Sequence, residues 1–255
     1  MPSTEPMRQS LLTTPIMTRW VLTCARLMRE QQAYLTQLDS AIGDADHGAN
    51  MTRGFNAAEI RVAELGPETL PGEVLVIAGQ TLVTSIGGAS GPLWGAVFRR
   101  TGKSLAGLAT VNLAQFAAAL DKGLVAVMEL GTAEPGDKTM VDALSPAVDS
   151  FRAATLDGLA LGPAIRQAQA AATQGALNTT PMLARKGRAS YLGERSVGHQ
   201  DPGAASTALI VSALHLTFQE LSPETLEHSG DSDHPDEPDR SDEPGGPPQA
   251  TRDRP

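Results

Sequence analysis

Apolar residues recur at spacings of three and four over nearly all of residues 15–221, and no run alternates with period two. A side chain returns to one face of an α-helix every 3.6 residues and to one face of a strand every two, so this pattern predicts helices and no sheet. The clearest stripe is Met17, Trp20, Val21, Cys24, Leu27, Met28, Leu35 and Leu38; Met51, Phe55, Ala58, Val62 and Leu65 form the next. Further segments are predicted at 72–86, from Ser90, from Asn112, at 138–156, at 163–178 and from Asp201. Start signals accompany several of them. Ser90 is placed to cap with Pro92 in the first turn, Asn112 and Gln115 have capping-box spacing, and Asp201-Pro202 opens the last segment. Aromatic residues are only 4% of the chain, and Ala and Leu lead the apolar set, which favours closely packed helices. The prediction is all-α, with eight helical segments.

The same residues narrow the setting. Cys24 is the single cysteine and lies on an apolar stripe, so no intramolecular disulfide forms and the thiol reads as core filling in a reducing compartment. No stretch approaches the roughly 20 apolar residues of a membrane span, and the first 14 residues lack the apolar centre of a secretory signal. A soluble, cytoplasmic protein without a membrane partner is expected. The net charge of −9 is unevenly spread. Residues 222–255 hold ten acidic and three basic side chains, leaving a net of −2 on residues 1–221. A nearly neutral body argues against nucleic-acid binding. The acidic segment carries seven of the 18 prolines and almost no aliphatic residue, so it is expected to be a disordered tail. The expected organisation is a flexible extension at 1–14, one domain at 15–221 and the tail at 222–255.

Four inter-helix stretches are rich in Gly, Asp and Ser, and chemistry is sought there. In the first, Asp39, Asp44 and Asp46 place three carboxylates within eight residues. Carboxylates this close repel unless a cation compensates, and hard oxygen donors on a short loop suit Mg²⁺. A calcium loop fails in both registers, because its twelfth position would be Phe55 or Asn50 in place of Glu. Helix capping alone would explain one Asp but not three. The second stretch, Ile86 to Pro92, offers a Gly-rich turn before a helix N-terminus, which can take an anion but is often only a tight turn. Nearby Gly102-Lys103-Ser104 imitates a phosphate-binding loop, but the required glycine is Val97 and no strand precedes it. The third stretch, 131–142, reads as a turn feeding a capped helix, with Lys138 free to be an ordinary surface charge. The fourth, 187–203, is long and polar; its Arg188 and Arg195 suit phosphate or carboxylate. His47 and His199 lie in loops as isolated histidines, more often scaffold than general bases. The set as a whole suits phosphoryl transfer, where charge neutralisation and positioning do most of the work.

In this order, GDADHGANM (43–51), GGASGPLWG (87–95), AEPGDKTM (133–140) and GRASYLGERSVGHQDPG (187–203) resemble the L subunit of dihydroxyacetone kinases, and the resemblance covers about residues 15–220. It implies an eight-helix antiparallel barrel with the nucleotide at one end. It implies Asp39, Asp44 and Asp46 as ligands of two Mg²⁺ ions, and His47, Gly48, Ala49, Asn50, Ala89, Ser90, Gly131, Met140, Arg188, Asp201, Pro202 and Gly203 as the lining of an ADP or ATP site. It also implies partners: a K subunit holding dihydroxyacetone and an M subunit acting as phosphohistidine donor, with the L subunit itself a candidate homodimer. Two alternatives stay open, an ATP-dependent kinase subunit for dihydroxyacetone or another short sugar and a nucleotide-loaded regulatory module without turnover.

Overall fold

Every predicted segment is helical in the computed structural model, which describes residues 11–221. The helices are α1 (Thr14–Glu30), α2 (Gln32–Ile42), α3 (His47–Ala63), α4 (Pro71–Ser85), α5 (Ser90–Ser104), α6 (Leu113–Gly131), α7 (Val141–Leu156), α8 (Leu161–Asn178) and α9 (Pro202–Glu220), with a 3₁₀ segment at Arg188–Ser196. No strand occurs among the described residues; Leu12 and Val111 form an isolated bridge. Ahead of α1, Leu12 is fully buried and bonded to Val111 through both backbone groups. The predicted tail, and residues 1–10 of the predicted extension, lie outside the described residues.

The first stripe was expected as one helix and is two. The chain bends at Gln31 (φ −103°, ψ 10°), yet Gln31 N–H still bonds to Leu27 O and Leu35 N–H to Gln31 O. The apolar face thus continues through the bend. Proline in the first turn starts α1, α4 and α9, where its missing N–H costs nothing. Asn112 and Gln115 form the reciprocal capping box at α6, both bonds 2.9 Å. Ser90 does not cap α5: Ala89 occupies the cap position without a side-chain bond.

Consecutive helices from α3 to α9 pack on one another, α1 packs on α3, and α9 returns to α1, which closes a ring. With α1 and α2 as one pillar, the ring has the eight members expected. Its interior is apolar. Trp20 stacks on Phe98, with Phe55, Trp94 and Phe116 at 6.0–6.1 Å from these two rings. Trp20 Nε1 donates to Ile210 O at 2.9 Å, so its polar atom is satisfied inside the core. Only a void of about 30 Å³ remains among these rings, too small for an organic ligand. Cys24 is fully buried there, and burial pushes its thiol pKa up, away from reactivity. No helix among the described residues is long and apolar enough to cross a membrane.

Up-and-down winding has a consequence for function. Every second connection falls at the same end of the ring: 43–46, 86–89, 132–140 and 179–201. These are the four stretches rich in Gly, Asp and Ser.

Candidate functional site

The four connections surround a cleft of about 440 Å³. Helices α3, α5, α7 and α9 all begin at it, so four positive helix ends face one space. That arrangement suits a polyanion.

At its edge stand Asp39, Asp44 and Asp46, each with one carboxylate oxygen within 4.8 Å of the others. Asp39, at the end of α2, is buried, and its Oδ2 accepts from the N–H groups of Asp46 (2.8 Å) and His47 (3.0 Å). It is therefore Asp39 that satisfies the start of α3, and neither Asp44 nor Asp46 serves as a side-chain cap. Gly43 makes this possible, since a Cβ there would collide with Asp39 Oδ1. Ala45, between the two exposed aspartates, adopts φ 62°, in the left-handed region that residues with a side chain rarely enter. Arg188 Nη2 forms an ion pair with Asp44 Oδ2 at 2.8 Å. The donor set is all oxygen, on a short loop with one carboxylate fixed by backbone donors. Such a set fits a hard divalent ion completed by phosphate and water.

His47 bridges two sides of the cleft. Its Nε2 lies 3.0 Å from Ser206 Oγ and its Nδ1 3.4 Å from Ser90 Oγ. Ser206 Oγ also lies 3.0 Å from Gly203 O, so the serine ties the His47 ring to the first turn of α9. Burial lowers the His47 pKa, although Asp39 and Asp46 oppose that shift. The neutral ring is scaffold, tying α3 to α5 and α9. Asn50 Oδ1 accepts from Arg53 Nη2 at 2.6 Å, and Arg53 Nε is fixed on Ser85 O. Burial pushes the Asp201 carboxyl up to about 7, with Asp142 and Asp39 adding to it while Ala204 N–H and Lys138 pull it down.

Of the expected lining residues, His47, Asn50, Ala89, Ser90, Gly131, Met140, Arg188, Asp201, Pro202 and Gly203 border the cleft together with the three aspartates. Gly48 and Ala49 do not border it. Gly48 is packed on α2, where a Cβ would strike Gln32 O and Thr36 Oγ1. Arg195 is exposed and outside the lining, as is the His199 side chain. The Gly102-Lys103-Ser104 sequence is simply the last turn of α5.

A model of the DAK2 domain family matches residues 41–216. The chain belongs to the DAK2 domain family. Within this family it is 41% identical over 201 residues to the ADP-binding subunit DhaL of the PEP-dependent dihydroxyacetone kinase of Escherichia coli, covering 79% of this chain and 95% of that one. It is 36% identical over 199 residues to the ADP-binding subunit DhaL of PEP-dependent dihydroxyacetone kinase 1 of Listeria innocua, covering 78% and 94%. Its fold matches the crystal structure of the dihydroxyacetone kinase from C. freundii in complex with AMP-PNP and Mg²⁺, with a TM-score of 0.60 and 24% identity. That match covers 85% of this chain, and the chain spans about a third (35%) of that kinase.

Lys138 is the clearest departure in this DAK2 domain from what the sequence suggests. Expected as a surface charge, it is 1% exposed, and its ammonium sits among backbone carbonyls. Asp142 was likewise unremarkable, yet its two oxygens accept from Gly136 N–H (2.5 Å) and Thr139 N–H (2.7 Å) and so shape the α6–α7 connection. The supporting residues Arg53 and Ser206 were also missed. Arg53 carried one usable signal, its place one turn after Asn50 on the same helix face.

Proposed function

We propose that the cleft binds ADP or ATP through magnesium, and that the chain is the nucleotide-binding phosphoryl-transfer subunit of a dihydroxyacetone kinase. The observation that carries this is the convergence of three aspartate oxygens within 4.8 Å at the border of a cleft faced by four helix N-termini. Two ions fit the charge problem, because three carboxylates and a polyphosphate crowd one small volume. Bound magnesium would polarise the transferred phosphoryl group and shield its charge. The residues of this chain would do the rest. Asp39, Asp44 and Asp46 would hold the metal, while the backbone N–H groups at Ala89, Ser90 and Gly203 would cradle phosphate. Met140 and Gly131 would border the base, and Arg188 would turn from Asp44 to phosphate once a cation replaces it.

His47, the histidine that borders the cleft, is held through both ring nitrogens by Ser206 and Ser90 and is not free to activate a sugar hydroxyl. This supports a division of labour with a K-type subunit presenting dihydroxyacetone and an M-type phosphohistidine donor recharging bound ADP, all in the cytoplasm. Likeness to the PEP-dependent relatives favours that donor over free ATP. The test is to identify the nucleotide retained through purification, then compare initial rates with K subunit plus ATP alone and with the phosphohistidine donor added. ADP retained and turnover restored only by the donor are expected. Rapid multiple turnover on ATP alone, with free exchange of labelled ADP, would contradict the proposal.

A further inference from the structure

The Lys138 ammonium is enclosed in a way its charge does not favour. It forms no carboxylate ion pair among the described residues. Instead Nζ donates to the carbonyls of Ser196 (2.6 Å), His199 (2.6 Å) and Met182 (3.0 Å), with Thr180 O at 3.5 Å. Burial lowers its pKa, and Asp201 partly restores it. An ammonium has three hydrogens, and four carbonyls already face it. None is left for a phosphate, so Lys138 is no ligand of the nucleotide although it borders the cleft.

All four carbonyls belong to the connection between α8 and α9, whereas Lys138 belongs to the connection between α6 and α7. Its own backbone is held at φ 62°, in the turn that Asp142 organises from Gly136 and Thr139. Without the ammonium, four carbonyl dipoles would converge on one another in a buried space, which is costly for backbone groups removed from water. Other bonds in the segment, Gly198 N–H to Thr180 O (2.8 Å) and Ala184 N–H to Ser196 Oγ (2.9 Å), fasten it to itself. Lys138 fastens it to the neighbouring α6–α7 connection, beside the backbone bond from Arg185 N–H to Asp137 O (3.1 Å). The same segment carries Arg188 and Ala189 into the cleft and leads into Asp201–Gly203.

We propose that Lys138 is a positioning residue, a buried cation that pins residues 179–199 to the α6–α7 connection at the cleft and thereby sets how long a nucleotide stays bound. The proposal rests on the nucleotide reading above for its second half only. In the full chain, Lys138→Met should speed amide hydrogen exchange across 179–199 in the absence of nucleotide, with α1 and α4 unchanged. Release of a fluorescent ADP analogue in Mg²⁺ should quicken by about tenfold or more, the scale of losing charge-assisted buried bonds. The maximal transfer rate at saturating nucleotide should fall by less than about threefold, so the effect appears in affinity and not in turnover. Lys138→Gln, which keeps donor hydrogens without the charge, should give the same changes in smaller measure. Wild-type exchange and wild-type release in either folded variant overturn the proposal, and so does loss of helical circular dichroism in both, which would make Lys138 a determinant of the whole fold. If the wild-type chain binds no ADP analogue, the nucleotide reading fails, while the exchange comparison still decides the pin.

Discussion

Asp201 is pulled in two directions. As the N-cap of α9 it accepts from Ala204 N–H at 2.7 Å, which favours the charged form, while burial favours the neutral one and prevails, with a pKa of about 7. An unfolded aspartate titrates near pH ~4. Between these two values the folded chain holds a proton that the unfolded chain has released. The stability from this group is therefore fully present below about pH 4 and is lost as the pH rises through about 7, with a slope of at most about 1.4 kcal/mol per pH unit. Asp201→Asn keeps the capping oxygen and removes the titration. Nucleotide-free protein unfolded in urea at several pH values across that window should lose stability with rising pH in the wild type and much less in the variant. Parallel profiles would show that Asp201 is not held neutral.

At the scale of elements, what the sequence revealed and what it hid have separate physical causes. Helices were legible because packing of a ring requires one apolar face per helix, and that requirement writes a period into the chain. The Asn112–Gln115 box was legible because both partners lie within one turn. The break at Gln31 was not, since hydrogen bonding and the apolar stripe run across it. Ser90 has the chemistry of a cap, but its hydroxyl goes to His47, 43 positions away, and local spacing carries no trace of that bond. The aspartate loop was legible as an excess of like charge in a short span. Lys138 and Asp142 were not, because their partners are backbone groups, and a carbonyl leaves no mark on residue identity. For the same reason Asp39 was grouped with Asp44 and Asp46 as an equal, whereas the structure gives it the start of α3 as well.

For the whole molecule, the even winding of helices gathers alternate connections at one end, so a site can be assembled from four separate stretches of sequence without any long loop crossing the ring. The acidic segment at 222–255 adds seven net negative charges and almost no apolar side chains, which leaves it little to contribute to that assembly. Ending the chain after Leu221 should shift stability by under roughly 0.5 kcal/mol, within the range of surface changes. A large fall in melting temperature on truncation would mean the segment docks. The central claim is that Asp39, Asp44 and Asp46 act with nucleotide to hold magnesium, and calorimetric titration of ADP into wild type, Asp44→Ala and Asp46→Ala, with Mg²⁺ and with EDTA, tests it most directly. Tight binding only by wild type and only with Mg²⁺, alongside unchanged helical circular dichroism in the variants, is the predicted result. Equal ADP affinity in the variants, or in wild type stripped of Mg²⁺, would contradict it.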